Sequence, residues 1–146
     1  MDTAWTGEVP KVGATATRSR TVSSEDITRF TEMSGDRNPL HYDEDLAVGS
    51  VFGGIIVQGG VTSAILNAVV AEDLPGPGTV FLHVDWNFRA AVRPGDVITG
   101  RVEVLEVRTD KPMTRLATTV SNQQGTVVLD GEALYYTAPL YYTAPL

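Results

Sequence analysis

The run "GGVTSAILNAVVAEDLPGPG", residues 59–78, limits what this chain can become more than any other segment. It is uncharged up to Glu72 and is closed by Pro75 and Gly76, which predicts a long helix from about Gly59 to Asp73. A helix that is apolar on nearly every side has to be covered by other structure. After it the period changes. In "VFLHVDWNF" the apolar Val80, Leu82, Val84, Trp86 and Phe88 alternate with His83, Asp85 and Asn87, the signature of a half-buried strand. "DVITGRVEVLEVR", "MTRLATTVSN" and "TVVLDGEALYY" are further strand candidates, separated by the turns "TDKP" and "NQQG". Upstream, "TVSSEDITRFTEM" reads as a helix capped by Ser23 or Ser24, with acids in its first turn and Ile27, Phe30 and Met33 at spacings of three. It ends at Ser34 and Gly35. "DEDLAV" predicts a further short helical turn ending at Gly49, and "SVFGGIIV" a glycine-hinged connection. Helix first, then strands joined by short turns, predicts an α+β domain in which one antiparallel sheet wraps a central helix.

A chain of 146 residues can bury its own core as one domain, and nothing in it resembles a linker. It has no cysteine, which excludes disulfides, thiolate metal sites and a cysteine nucleophile. The first residues lack a basic start followed by an apolar run, and no stretch approaches the length of a membrane span, so the expectation is a soluble cytoplasmic protein. A net charge of −7 argues against nucleic acid as a partner. The charge is uneven, however. Residues 1–88 carry five basic and twelve acidic side chains, whereas residues 89–115 carry six basic and four acidic ones, Arg89, Arg93, Arg101, Arg108, Lys111 and Arg115 being the bases. That segment is either a solvated sheet face or a patch able to receive a phosphorylated small ligand. At the end of the sequence "YYTAPL" stands twice, at 135–140 and 141–146. The first copy reads as the end of the last strand. The second is expected to be an extension lying on the surface or across a partner, since Pro139 and Pro145 oppose continued pairing.

The segment "SGDRNPLH", Ser34 to His41, gathers the groups able to do chemistry. Pro39 lies between Asp36 and His41, opposes a helix there and biases Asn38 towards an extended backbone, so a stiff turn presents a carboxylate and an imidazole together. An imidazole accepts or gives a proton near neutrality, and a carboxylate can polarise water. These are also ordinary turn formers, so the residues alone leave a purely structural turn open. Asn38 reads as a loop-fixing or water-orienting residue. A metal site from Asp36, His41 and Asp43 is disfavoured, there being no paired-histidine spacing. His83 reads as a solvated strand residue. No Walker-type loop or dinucleotide fingerprint is present.

The longer stretch "FTEMSGDRNPLHYDEDLA", Phe30 to Ala47, resembles the signature of the MaoC-like dehydratases and (R)-specific enoyl-CoA hydratases. The resemblance continues in order through "GGIIVQGGVTS", "LPGPGTVFL", "VRPGDVITGRVEV" and "DKP", and so covers roughly residues 15–137. It implies a single hotdog domain, usually paired as a homodimer with active sites at or near the subunit interface. The implied activity is reversible addition of water to trans-2-enoyl-CoA, giving (R)-3-hydroxyacyl-CoA, in fatty acid metabolism or polyhydroxyalkanoate precursor supply. The alternative is dehydration of a carrier-protein-bound 3-hydroxyacyl intermediate in fatty acid or polyketide synthesis. A hotdog thioesterase would leave the Asp36 to His41 loop without a task, and a non-catalytic acyl-binding module would be expected to lack one of the two.

By the same resemblance no cofactor beyond the coenzyme A of the substrate is implied, and no metal. Asp36 is the expected base and His41 the acid partner, with Ser34 and Asn38 in support. The Gly59 N–H, at a helix start where donors are unpaired, is the expected oxyanion donor. Gln58, Gly60, Arg89 and Arg93 are expected to face substrate, with Arg108 and Lys111 as further candidates for the coenzyme A phosphates. Two positions depart from the family. Gln58 stands where His is frequent, and Gly60 where a larger apolar residue is common, which implies either an altered acyl-size preference or a looser helix start.

Overall fold

The computed structural model describes residues 4–140, and the second copy of the terminal repeat lies outside the described residues. The elements are β1 (Thr15–Thr21), α1 (Ser24–Ser34), a 3-10 turn (Pro39–His41), α2 (Glu44–Gly49), α3 (Gly59–Ala68) prolonged by a π-helical turn (Val69–Asp73), then β2 (Thr79–Phe88), β3 (Val97–Val107), β4 (Met113–Ser121) and β5 (Val127–Thr137). The five strands form one antiparallel sheet in the order β1-β3-β4-β5-β2, with α3 against it. Among the described residues no helix is long and apolar enough to cross a membrane.

The apolar run folds as its composition requires. Val61, Ile65, Leu66, Val69 and Val70 are buried, together with Ile98, Val102, Val104, Leu116, Val120, Leu129 and Tyr135 of the sheet. The helix sits closest over β3 at Gly100, where a Cβ would lie 2.9 Å from Ile65 Cγ2. Truncating a fully buried residue of this cluster, such as Leu66, costs about 2–5 kcal/mol through lost contacts and the cavity left behind. The helix is not covered on every side, however: Ala64 and Asn67 are exposed and Ser63 is half-buried, so one face of small residues is left open.

Two strand expectations also change. β1 precedes all the helices and has no counterpart among the expected strands, since "TATRSRT" has no apolar alternation; it is an edge strand, almost wholly exposed. β2 has the period expected of it but not the burial. It is the other edge, paired only with β5, and Val80, Leu82, Val84 and Phe88 are between 42% and 57% exposed. Alternation reports that a strand has two faces and says nothing about its place in the sheet. A register shift between Phe81 and His83 further breaks the simple even-odd division.

Candidate active site

α1 is capped by Ser23, whose N–H donates to the Asp26 carboxylate at 2.9 Å, and by Gly35, which takes the left-handed conformation at φ 80°. That glycine reverses the chain into the loop. The loop is then built from side-chain to backbone bonds. Ser34 Oγ donates to Phe30 O at 2.7 Å and accepts the Asp36 N–H at 3.1 Å. Asp36 Oδ1 accepts the Asn38 N–H at 3.0 Å, and Asn38 Oδ1 accepts the Leu40 N–H at 3.1 Å. Pro39 does not simply forbid a helix here. It occupies the first position of the 3-10 turn Pro39–His41, where a missing N–H costs nothing and a fixed φ helps. Asn38 caps that turn, so it acts on the backbone that carries His41.

His41 is 8% exposed, and its Nδ1 lies 2.7 Å from Ile56 O. A carbonyl oxygen only accepts, so Nδ1 carries the hydrogen and Nε2 is the position left for chemistry. Nε2 faces Asp36 Oδ2 at 3.7 Å, and the Asp36 side chain is 38% exposed. The separation is too long for a direct hydrogen bond. It suits two groups that share one water, each at ordinary hydrogen-bond distance of about 2.8 Å.

The helix start lies beside this pair rather than inside the same depression. A cavity of about 320 Å³ is lined by Phe52, Ile56, Val57, Gly59, Thr62 and Phe88 among others. His41 lines a different depression, with Ile27, Ile55 and Pro94. Ile56 joins the two: its carbonyl holds the imidazole, and the residue lines the apolar cavity. Gly59 opens α3, so its N–H has no intrahelical partner. A Cβ on Gly59 would lie 3.2 Å from Phe88 Cε1.

Two sequence expectations are corrected here, and a third is narrowed. Gln58 does not face the cavity. It is 2% exposed, and its Nε2 donates to Ile27 O at 3.1 Å and Thr31 Oγ1 at 3.3 Å, which fastens the start of α3 to α1. Gly60 is small because Phe30 needs the space: a Cβ there would stand 2.1 Å from Phe30 Cε1. The basic segment is largely neutralised. Arg89 pairs with Asp130 at 3.1 Å, Arg101 with Glu103 at 3.2 Å, Arg108 with Asp110 at 2.6 Å and Arg115 with Glu106 and Glu132. Arg89 still lines the cavity, while Arg93 donates to Phe52 O and so fixes the loop beside it. Arg108 and Lys111 follow the end of β3 that pairs with the start of β4, and neither lines the cavity. Thr31, which spacing of three passed over in favour of the exposed Met33, is the buried hydroxyl behind the site.

Gly60→Ala therefore tests packing, not pocket size. The Phe30 ring has to move, at a cost of about 1–3 kcal/mol. The urea midpoint should fall while acyl-length preference stays unchanged; an altered preference at unaltered stability would return Gly60 to the pocket.

An antiparallel sheet curved about a central helix, with the polar loop and the helix start on adjoining walls, defines a hotdog-fold protein. Its relatives are consistent with that class. Residues 7–126 match the family described as MaoC like domain. The chain is 44% identical over 124 residues, 85% of itself and 78% of the relative, to a 3-hydroxybutyryl-CoA dehydratase of Methylorubrum extorquens. It is 37% identical over 123 residues, 84% of itself and 85% of the relative, to an (R)-specific enoyl-CoA hydratase of Rhodospirillum rubrum. The solved (R)-hydratase of A. caviae, described as involved in PHA biosynthesis, superposes with a TM-score of 0.84 at 31% identity, covering 90% of this chain and all of that one. The chain belongs to the MaoC-like dehydratase family and is an enzyme of the hydro-lyase class.

Proposed function

We propose that the protein is an (R)-specific enoyl-CoA hydratase, adding water reversibly to trans-2-enoyl-CoA to give (R)-3-hydroxyacyl-CoA. The observation that carries the reading is the facing of Asp36 Oδ2 and His41 Nε2 at 3.7 Å, with Nδ1 already engaged by Ile56 O. Relatives named for acyl-CoA substrates support coenzyme A as the carrier. Coenzyme A enters as part of the substrate.

In hydration, Asp36 as carboxylate takes a proton from the bound water as its oxygen forms the bond to C3. The electron pair of the C2–C3 double bond moves towards the thioester oxygen, where the Gly59 N–H and the positive end of α3 receive the charge. His41, protonated on Nε2, then delivers a proton to C2. The pair ends with the proton on Asp36 and the imidazole neutral, and one transfer from carboxyl to Nε2 restores it. Dehydration runs the same steps backwards.

The working unit we propose is a homodimer. Its support is β2, a ten-residue edge strand with exposed Val80, Leu82, Val84 and Phe88, the kind of edge that pairing covers. Light scattering at micromolar concentration should give at least twice the chain mass; the mass of a single chain would contradict this.

The activity test is purified protein with trans-2-butenoyl-CoA, longer enoyl-CoAs and the matching carrier-protein thioesters, following loss of enoyl absorbance and the chirality of the product. Hydration of coenzyme A esters to the R alcohol is expected. Turnover confined to carrier-protein thioesters would move the assignment to the synthase dehydratases, and hydration of neither would end it.

A further inference from the structure

We propose that the Thr31 hydroxyl is a positioning residue for this reaction: one oxygen ties the loop carrying Asp36, the residue that follows His41 and the residue that caps α3 into a single unit. The inference rests on the hydratase reading for its consequence in rate, but not for its geometry.

Thr31 lies in α1 and is 4% exposed. Its Oγ1 lies 2.7 Å from Asp36 O, an acceptor only, so the hydroxyl hydrogen points there. Two lone pairs remain. Gln58 Nε2 donates to one at 3.3 Å, and the Tyr42 hydroxyl, directly after His41 in the chain, must donate to the other because Thr31 has no second hydrogen. The Gln58 amide cannot be turned round, since its nitrogen also donates to Ile27 O at 3.1 Å. All the hydrogen-bonding capacity of the Thr31 oxygen is thus spent, and each bond runs to a segment that carries or adjoins a reacting group: Asp36 itself, the neighbour of His41, and the neighbour of Gly59. At the Thr31 oxygen, itself buried, such a set of bonds is stiffer than the same bonds at a surface. Gln58 Oε1, buried without a hydrogen-bond partner among the described residues, marks what is sacrificed to hold the amide in this orientation.

Shape alone does not call for threonine. Valine is nearly the same size and would fill the same space on α1. What the hydroxyl adds is direction, and without it the Asp36 carbonyl is free to turn towards solvent. A displacement of the order of 1 Å at a reacting group costs about 100-fold in rate. Thr31→Val should therefore lower kcat by about 10- to 100-fold with KM changed less than about 3-fold, since the lost interaction places groups and does not bind substrate. Thr31→Ser keeps the hydroxyl and should recover most of the rate.

The experiment pairs turnover with hydrogen exchange, read by mass spectrometry, in segments 35–42 and 57–61. Thr31→Val should raise exchange in both segments, and Thr31→Ser should restore protection in both. In an Asp36→Asn background Thr31→Val should cost less rate than it does in the parent protein, because the share of its effect that passes through Asp36 is already lost. Gln58→Met breaks the same clamp from the α3 side and should loosen 57–61 and slow turnover in the same direction, which keeps the test available if Thr31→Val does not fold. Unchanged exchange in both segments overturns the clamp whatever the protein's substrate. Loosened segments with unchanged kcat overturn its role in positioning, and an inactive parent protein with loosened variant segments counts against the hydratase reading alone.

Discussion

Asp36→Asn and His41→Gln should each lower hydration of an enoyl thioester by about 100- to 10,000-fold, the usual worth of a positioned general acid or base, while the fold stays intact. The structure explains why folding should survive. Asp36 accepts the Asn38 N–H through one carboxylate oxygen, and an asparagine keeps an oxygen for that bond. The Asp36 side chain is 38% exposed, so the other half of an amide finds solvent. His41 donates from Nδ1 to Ile56 O, and a glutamine amide can donate to the same carbonyl, but an amide neither gains nor loses a proton near neutrality. What is lost in each case is the proton and little else. The double variant should lose scarcely more than the worse single one, because the two groups act on one water and restore each other. Circular dichroism with kcat on butenoyl-CoA and on a carrier-protein thioester checks the expectation. A folded single variant with near-parental turnover would make the loop structural.

What could be read from the sequence divides by range. The ends of α3 were legible because Gly59, Pro75 and Gly76 act on their own backbone, and α1 because Ser23 and Gly35 do the same. The Asp36 to His41 pair was legible because five positions of stiffened turn leave little freedom. Positions whose reason lies far along the chain were not. Gly60 is small on account of a ring at Phe30, and Gln58 is polar on account of Ile27 O and Thr31, each about thirty residues away. Arg89 looked free for a phosphate because Asp130, its partner, stands 41 residues on. Local counting of charge sees a patch where the folded sheet has ion pairs. The two sheet edges were opaque for a related cause: an edge is a property of the neighbours a strand lacks, which no window along that strand contains.

The start of α3 separates a backbone donor from everything else at its position. Gly59→Pro should lower turnover by about 100-fold or more, because it removes the one N–H assigned to the thioester oxygen. The backbone tolerates the change: Gly59 is the first residue of the helix, where proline is favoured, and Gln58 before it already sits at φ −62° and ψ 146°, inside the extended region a following proline demands. Proline also brings a Cβ, which at this position meets Phe88 Cε1 at 3.2 Å and crowds the cavity. Gly59→Ala supplies the control, since it adds the same Cβ and keeps the N–H. Crowding alone should therefore affect both variants alike, most visibly in KM for longer acyl chains. Loss of the donor should appear only in proline, in kcat, and for every chain length. Equal kcat in the two variants would mean that another group holds the oxygen, and α3 would then only seat the acyl chain.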